Sequence, residues 1–330
     1  MDTLLLTTSE QDLRKAAEII KAGGLVAFPT ETVYGLGGNA YDAGAASKIY
    51  GAKGRPSDNP LIVHVSSVAQ AEALVTSFPE CAKKLAERLW PGPLTMVLPK
   101  KPEIPDTVTG GLSTVAIRFP AEDSAAKLIE YAGLPIAAPS ANLSGKPSPT
   151  LWQHCYADLS GKVDAIIQGP ACIGGIESTI VDLTGALPQI LRPGLITPEV
   201  IEQSCGMPCS YDPAILTKPG ADFRPKAPGM KYKHYAPSAK MVLFKGEAGA
   251  AEAAMQKKAA ELSAQGEKIV CLSYPNGRTA AAKLFADLRK ADAEGCSYIL
   301  ACALADGDSI NYSVMNRMLK AAGYNIIEIC

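Results

Sequence analysis

The chain has 330 residues, 47% of them hydrophobic and 20% charged, and 32 Lys and Arg nearly balance 33 Asp and Glu to a net charge of −1. This composition is typical of a soluble protein with one large or two medium domains, and it gives no general attraction to nucleic acid or membrane. There is no apolar run of about 18 residues and no basic start at the N-terminus, so neither a membrane span nor a signal peptide is predicted.

The nine cysteines are scattered and form no C-x-x-C pair, which argues against a zinc site or a thioredoxin-like redox motif. Free thiols are expected, and they fit a reducing compartment, so the predicted location is cytoplasmic. No group of Asp, Glu and His residues has the spacing of metal ligands. The sequence therefore predicts no metal site built by the protein itself.

The first two hundred residues alternate between helical and strand-like hydrophobic patterns. Ser9 begins an S-x-x-D cap, and apolar residues recur at helical spacing from Leu13 to Ile20, until Gly23 and Gly24 end the helix. Further helices are predicted near 43–51, 67–76, 80–89, 123–131 and 198–204. Strands are predicted near 25–28, 61–65, 94–98, 114–119, 135–138, 164–168, 178–183 and 188–192. The alternation predicts an α/β domain, and the closely spaced late strands predict a mixed sheet.

Six prolines interrupt the segment between Met207 and Pro237, so no regular element is predicted there. Beyond it, strands near 240–244, 268–272 and 325–329 are separated by Ala-rich helical segments. We therefore expect three parts, namely an α/β domain at 1–206, a proline-rich linker at 207–238 and a smaller α/β domain at 239–330.

The run KGRPSDNPLIVHV at 53–65 places two cations, Lys53 and Arg55, on a loop bounded by Gly and Pro. Asn59 precedes the short apolar segment that follows, and His64 lies inside it. Arg offers a planar fork of donors and Lys a compact point charge, so the pair suits phosphate oxygens. A K-x-R pair alone is also what a solvated surface turn contains. The pattern favours a phosphate site only in combination with other segments.

A second candidate is TETVYGLGG at 30–38, which follows a predicted strand and ends in glycines. Gly35, Gly37 and Ala40 fit G-x-G-x-x-A loosely and raise a dinucleotide-binding hypothesis. That fingerprint needs a tight turn directly after the strand, whereas six residues separate Phe28 from Gly35. A backbone-rich binding loop that uses the hydroxyls of nearby threonines is the preferred interpretation.

Three further segments place polar residues at the ends of predicted strands. SANLSG at 140–145, followed by Lys-Pro-Ser, comes just past an apolar strand, where ligands bind in open α/β sheets, although a polar turn has the same composition. ESTIVD at 177–182 opens a strand with hydroxyls, and LRPG at 191–194 ends one with an arginine. Arg118 ends TVAIRF, and an arginine inside an apolar run needs a partner anion when it is buried.

Together, KGRPSDNPLIVHV, WPGPLT, SANLSG, ESTIVD and LRPG occur in the order seen in the YrdC-like threonylcarbamoyl-AMP synthases, and the chain resembles that family. PGMKYKHYAP at 228–237 resembles the signature of its long, two-domain form, and the last domain agrees mainly by position. The resemblance implies an α/β fold with a YrdC-like twisted mixed sheet and flanking helices, plus a smaller Rossmann-like C-terminal α/β domain.

The resemblance also implies an enzyme, a nucleotidyltransferase that makes threonylcarbamoyl-AMP and pyrophosphate from L-threonine, bicarbonate and ATP. ATP is a substrate, with Mg²⁺ carried on its phosphates, and the product serves the threonylcarbamoyladenosine modification of tRNA. Downstream tRNA threonylcarbamoyl-transfer enzymes are the expected partners, and direct tRNA binding is left open.

Residue roles follow from the same resemblance. Lys53 and Arg55 would neutralise the triphosphate and the carbamate as the catalytic cations. The implied ATP-binding residues are Arg55, Asn59, Thr114, Ser140, Asn142, Ser148, Arg192 and Tyr235, the last as a lid from the linker. The implied threonine-binding residues are Thr32, His64, Arg118, Ala138 through its backbone, and Ser178. Arg118 is the expected partner of the threonine carboxylate, because its guanidinium can bind a carboxylate with two parallel hydrogen bonds.

Two other functions remain open at this point. An RNA-binding module would use the basic pocket, but the balanced charge and the 6% aromatic content disfavour it. An ATP-dependent carbamoylation of another amine would keep the pocket and change only the acceptor.

Overall fold

The computed structural model describes residues 2–215, 225–228 and 234–329. Of the linker expected at 207–238, the stretches 216–224 and 229–233 lie outside the described residues, and so does half of the segment at 228–237. Contacts divide the chain into two compact units. The first comprises 1–144 and 149–231, and the second comprises 145–148 and 232–330.

The first unit is built on one large mixed sheet, as predicted. Its strands in chain order are β1 Leu4–Leu6, β2 Val26–Phe28, β3 Gly35–Asn39, β4 Ile62–His64, β5 Leu94–Pro99, β6 Thr114–Arg118, β7 Ile136–Ala138, β8 Ala165–Ile167, β9 Thr179–Asp182, β10 Gln189–Arg192 and β11 Ser210–Tyr211. They are hydrogen-bonded in the order β1-β8-β2-β3-β7-β4-β6-β5-β9-β10-β11, with both parallel and antiparallel neighbours.

Helices flank this sheet, and their ends follow from local sequence. They are α1 Glu10–Lys21, α2 Ala43–Lys53, α3 Val68–Ala73, α4 Glu80–Leu89, α5 Asp106–Thr109, α6 Asp123–Ala132, α7 Trp152–Leu159 and α8 Pro198–Cys205. The predicted cap of α1 is confirmed, because the Ser9 hydroxyl accepts the backbone N–H of Asp12 at 3.3 Å. The apolar positions predicted for α1 are also buried.

The second unit contains an all-parallel sheet in the order β13-β14-β12-β15. Its elements are β12 Lys240–Lys245, α9 Ala248–Ala264, β13 Ile269–Leu272, α10 Gly277–Ala293, β14 Tyr298–Cys302, α11 Ser309–Ala321 and β15 Ile326–Glu328. The smaller, Rossmann-like α/β domain is thus present, but its central strand β14 was not predicted. A short apolar run beside an Ala-rich helix cannot be told from helix by periodicity alone.

Other elements also escaped the sequence patterns. The strands β1, β3 and β11 and the helices α5 and α7 were not predicted. The interpretation of 30–38 as a loop throughout was wrong, since Gly35–Asn39 pairs with β2 and β7. Its glycines are needed for packing, because a Cβ at Gly37 would lie 2.7 Å from Ile136 and 2.8 Å from Phe28.

No disulfide links the cysteines that the structure describes. Within the same described residues, no helix is long and apolar enough to cross a membrane, and no group of His, Cys, Asp and Glu is arranged to hold a metal ion.

Candidate active site

Side chains alternate along the central strands, and this alternation gives the large sheet two different faces. Val115 and Ile117 of β6 lie in the main hydrophobic core, so Thr114, Ala116 and Arg118 share the opposite face. Neighbouring strands repeat the pattern, and their contributions to the core are Val63, Met96, Leu98 and Val181. The opposite face is therefore where the predicted polar residues collect.

The strand register brings five of these polar side chains to one edge of that face. His64 ends β4 and is paired in register with Arg118, which ends β6. Thr95, near the start of the antiparallel β5, is paired with Arg118 on its other side. Ser178 directly precedes β9, and Arg192 ends β10. Residues from five separate segments of the chain thus form one polar row.

A second polar group lies at the other end of the same strands. Thr114 begins β6, and four residues of strand put it about 13 Å from Arg118. Ala138 is paired with Ile62 of β4, and Ser140 lies two residues beyond Ala138, where that strand ends. An apolar strip separates the two polar ends, and its buried members are Ile62, Val97, Ala116, Ile180, Leu191 and Ala227.

Lys53 joins two segments that the sequence suggested separately. It ends α2, where Gly54 takes the left-handed conformation with φ 61°. Its side chain is buried, and the ammonium group donates to the backbone carbonyls of Ser140 and Asn142. In return the Ser144 N–H donates to the Lys53 carbonyl at 2.8 Å. A buried positive charge is therefore held against the SANLSG segment by carbonyl oxygens.

Arg55 and Asn59 lie on the loop that follows. The Arg55 guanidinium donates to the carbonyl of Pro60 at 3.0 Å and to that of Asn59 at 3.3 Å. Asn59 is buried, and its side-chain Oδ1 has no hydrogen-bond partner among the described residues. An amide oxygen buried in this way is suited to accept a hydrogen bond from a bound polar ligand.

Arg118 is more fully engaged than the sequence suggested. Its guanidinium donates to the Thr32 hydroxyl at 2.8 Å and lies 2.7 Å from Glu31 Oε1, and both charged side chains are largely buried. The anion that a buried arginine requires is therefore supplied by the protein itself. Sequence reasoning missed Glu31, although it lies between the two threonines that were singled out.

Arg192 and Ser178 form the far part of the polar row. The guanidinium donates to the Ser178 carbonyl at 3.1 Å and to its hydroxyl at 3.2 Å. The Ser178 hydroxyl also hydrogen-bonds Thr95 at 2.8 Å. Gly194 of LRPG has no room for a side chain, since a Cβ there would lie 2.5 Å from the Thr179 nitrogen. Thr95 was missed as a site residue, although it belongs to the WPGPLT motif.

His64 is buried, and its ring lies edge-on to Phe28, with centroids 5.9 Å apart. Burial lowers the pKa of His64 to about 3, and the nearby positive charge of Arg118 adds to this effect. The imidazole is therefore neutral at physiological pH. A neutral ring can orient a ligand through hydrogen bonds, but it supplies no positive charge.

The depressed pKa of His64 predicts a specific loss of stability in acid. Below about pH 6.5 the unfolded chain takes up a proton at this histidine that the folded protein excludes, so folding weakens as the pH falls. Between about pH 7.5 and pH 5 this group should cost about 2 kcal/mol of unfolding free energy. The measurement is urea unfolding of the wild type and of His64→Gln at both pH values.

The variant should lose about 2 kcal/mol less than the wild type over this pH interval. Comparing each protein with itself at two pH values cancels the packing change that the substitution causes. Equal acid losses in the two proteins would show that His64 does not carry this effect.

The remaining two predicted site residues, Ser148 and Tyr235, belong to the second unit. Ser148 is buried. The Tyr235 ring stacks on Phe285 of α10 with centroids 5.0 Å apart, and its backbone has a φ of 64°. The Arg289 guanidinium, on the same helix, donates to the Pro147 carbonyl at 2.6 Å. The segment 145–148 is thus attached to the second unit.

Family models assign the large unit to the YrdC-like class of α/β domains. The model of the Sua5, YciO and YrdC proteins, described as telomere recombination, matches residues 18–194. The model of the threonylcarbamoyl-AMP synthase C-terminal domain matches residues 196–323. Both parts of the chain therefore have counterparts in one group of proteins.

Individual relatives agree over the full length. A threonylcarbamoyl-AMP synthase of Pyrococcus abyssi is 46% identical, over 97% of this chain and 96% of its own. One from Bacillus subtilis is 43% identical, over 98% of this chain and 96% of its own. The crystal structure of P. abyssi Sua5 complexed with L-threonine superposes with a TM-score of 0.94 at 44% identity, covering 99% of this chain and 100% of that one. The chain belongs to the threonylcarbamoyl-AMP synthase family, in its long two-domain form.

Proposed function

We propose that this enzyme condenses L-threonine, bicarbonate and ATP into threonylcarbamoyl-AMP and releases pyrophosphate. The observation that carries the proposal is the polar face of the large sheet. It has cations and hydroxyls at both ends and an apolar strip of about 13 Å between them. Such a face suits an extended substrate with a phosphate-bearing part and an amino-acid part. The full-length relatives named threonylcarbamoyl-AMP synthase support the same reaction.

The chemistry needs positioning and charge stabilisation more than a protein nucleophile. The threonine amine captures bicarbonate or CO₂ to give a carbamate, whose oxygen attacks the α-phosphorus of ATP while pyrophosphate leaves. The α-phosphorus therefore exchanges its bond to the bridging oxygen of pyrophosphate for one to the carbamate oxygen. Negative charge accumulates on the phosphate oxygens during this transfer, and preorganised cations stabilise it.

We call this sheet face, with its two polar ends, the proposed cleft, and we assign its ATP side to the residues near Lys53. Lys53 and Arg55 neutralise the triphosphate and the carbamate, and the buried Oδ1 of Asn59 accepts a hydrogen bond from the nucleotide. Any Mg²⁺ is carried on the phosphates of ATP. The other residues assigned to ATP are Thr114, Ser140, Asn142, Ser148, Tyr235 and Arg192, of which Arg192 lies in the polar row beside Ser178.

The amino-acid side is assigned to the polar row apart from Arg192. Thr32, His64, Arg118 and Ser178 hold L-threonine together with the backbone of Ala138, which is paired with Ile62 two residues from His64. The neutral imidazole serves as a hydrogen-bonding group. Two of the five N–H groups of Arg118 donate to described residues, namely Gly92 and Thr32, and the Glu31 carboxylate pairs with the guanidinium charge at 2.7 Å. Arg118 binds the threonine carboxylate with the remaining donors instead of the full fork that the sequence suggested.

We propose that the proline-rich segment at 207–238 is a lid that excludes water from the labile product. In the chain this segment follows the larger domain and precedes the smaller one. The described residues 225–228 support this assignment, because they contact the large sheet of the first unit. There, Ala227 packs into the apolar strip and Lys226 lies 3.5 Å from Asp212 and 3.8 Å from Asp182. The product would pass to an enzyme that transfers threonylcarbamoyl to tRNA in the cytoplasm.

The lid proposal predicts the effect of Tyr235→Ala. Loss of the ring should raise the Kd for ATP severalfold, or release product into solution where it hydrolyses. The change also removes the ring stack on Phe285, so the melting temperature must be measured alongside. Tyr298→Ala is a matched control, because Tyr298 lies in the sheet of the same unit. Unchanged ATP affinity and product yield in Tyr235→Ala would contradict the lid.

Pyrophosphate release tests the proposed reaction directly. The assay contains ATP and Mg²⁺, and L-threonine or bicarbonate is omitted in turn. We expect release only when both are present. Release with bicarbonate but no threonine would point to another amine acceptor. No release from folded protein, together with salt-dependent RNA binding, would favour the RNA-binding module.

A further inference from the structure

We propose that Glu31 is a positioning residue that acts through Arg118 to make the Thr32 hydroxyl a hydrogen-bond acceptor, and so selects an amino acid with a side-chain hydroxyl. This inference rests on the proposed function, since it names what sets the specificity of the same site. Glu31 itself is not assigned to contact substrate.

Glu31 connects three loops around the amino-acid side of the cleft. Its Oε1 lies 2.7 Å from the Arg118 guanidinium at the end of β6, and its Oε2 accepts the N–H of Ala121 at 3.1 Å. Its backbone carbonyl accepts the N–H of Gly174 at 2.8 Å. A Cβ at Gly174 would lie 2.9 Å from that carbonyl, so the loop before Ser178 packs directly on it. Each oxygen of this residue therefore has a distinct structural partner.

The contacts beyond Arg118 fix the position of the Thr32 hydroxyl. The Thr30 hydroxyl donates its one proton to the Val33 carbonyl at 2.7 Å and accepts the backbone N–H groups of Thr32 at 3.2 Å and Val33 at 3.3 Å. It also lies 2.9 Å from the Thr32 hydroxyl. Arg118 donates to the same Thr32 oxygen at 2.8 Å. Because Arg118 engages one lone pair of Thr32 Oγ1, the oxygen keeps a second lone pair that can accept a hydrogen bond.

An acceptor fixed in this way discriminates by chemistry as well as by shape. A side-chain hydroxyl can donate to it, whereas an isosteric methyl group cannot and would leave that second lone pair without a partner. L-Threonine and L-valine differ in this respect alone, while L-threonine and L-serine differ only by a methyl group. The geometry depends on Arg118 keeping its orientation, and the Glu31 carboxylate supplies the opposing charge that holds it.

Replacement by Gln is the sharpest test, because Glu31→Gln keeps the size and an acceptor for Ala121 but offers Arg118 no charge. Calorimetry measures the Kd for L-threonine, L-serine, L-valine and ATP. We expect at least a tenfold loss of L-threonine affinity and a similar fall in its preference over L-valine. The preference for L-threonine over L-serine, and the Kd for ATP, should stay within about twofold.

Two further variants keep the test informative. Glu122→Gln is the matched control, since Glu122 is a nearby carboxylate that caps α6 through the Ala125 N–H at 2.8 Å. It should lower the melting temperature without changing the Kd for L-threonine. Glu31→Asp keeps the carboxylate on a side chain that is shorter by one methylene, and it should lose part of the affinity for L-threonine. This variant replaces Glu31→Gln in the test if the Gln variant does not fold.

A double-mutant cycle separates positioning from other roles. If Glu31 acts through Arg118, then adding Glu31→Gln to Arg118→Met, which removes the positive charge, should change L-threonine affinity by less than about twofold. A further tenfold loss in that background would overturn the inference. Tighter L-threonine binding by Glu31→Gln would also overturn it, because the carboxylate would then be a competitor. Wild-type protein that binds L-threonine no better than L-valine would overturn the proposed function together with this inference.

Discussion

Replacing Lys53 with methionine is expected to slow pyrophosphate release by about 10²- to 10³-fold, the usual effect of removing one preorganised donor from a charge-stabilising site. Methionine keeps an unbranched side chain of similar length, so the change is mainly one of charge. The Lys53 ammonium group is held by the carbonyls of Ser140 and Asn142. Because Lys53 is buried, an ion from solvent cannot take the place of its positive charge in the variant. The measurement is a single-turnover rate at saturating substrates.

Lys48→Met is the matched control for this prediction. Lys48 lies on the same helix α2, and its ammonium group also donates to a backbone carbonyl, that of Gly23 at 2.7 Å. It is exposed and belongs to no part of the proposed cleft. We expect it to keep the wild-type rate. A Lys53→Met protein that melts earlier but turns over at the wild-type rate would reduce Lys53 to a structural link between α2 and the SANLSG segment.

Replacing Arg118 with alanine is expected to raise the KM for L-threonine by about 10- to 100-fold while leaving the KM for ATP nearly unchanged, because a charged hydrogen bond contributes about 1.5–3 kcal/mol. Arg118 lies between His64 of β4 and Thr95 of β5 in the strand register, at the end of the sheet face that is proposed to bind the amino acid. Initial rates with each substrate varied in turn measure the two constants. Equal effects on both substrates would remove Arg118 from the threonine site.

The same substitution should also destabilise the protein. Removing one partner of a buried ion pair leaves the other charge uncompensated, at a cost of about 3–5 kcal/mol. The stranded group is Glu31, whose side chain is only 12% exposed. Adding Glu31→Gln to Arg118→Ala should therefore restore part of the stability without restoring threonine affinity. That double variant separates the loss of fold from the loss of binding.

Within the proposed mechanism, the two ends of the sheet face divide the work. Carbonyl-held Lys53 and Arg55 provide positive charge where phosphoryl transfer takes place. At the other end, Glu31 offsets the charge of Arg118, and the neutral imidazole of His64 provides a directional hydrogen bond. This division is suited to a substrate whose charge lies mainly on its phosphates.

The sequence by itself determined the local structure and the motifs. Helix caps, apolar periodicity and turn glycines involve residues a few positions apart, so α1, α2, α4 and α6 and most of the central strands were predicted correctly. The order of the five motifs identified the family, and the family models and full-length relatives confirm it.

Only the tertiary structure decided which polar groups meet. Arg118 and Thr32 are separated by 86 positions, Lys53 and Ser140 by 87, and Thr95 and Ser178 by 83. Such contacts depend on strand order and register, which no local pattern encodes. The same reason explains why Glu31 was overlooked. A glutamate between two threonines has the sequence pattern of a solvated loop residue, and only the folded structure places the buried Arg118 of β6 beside it.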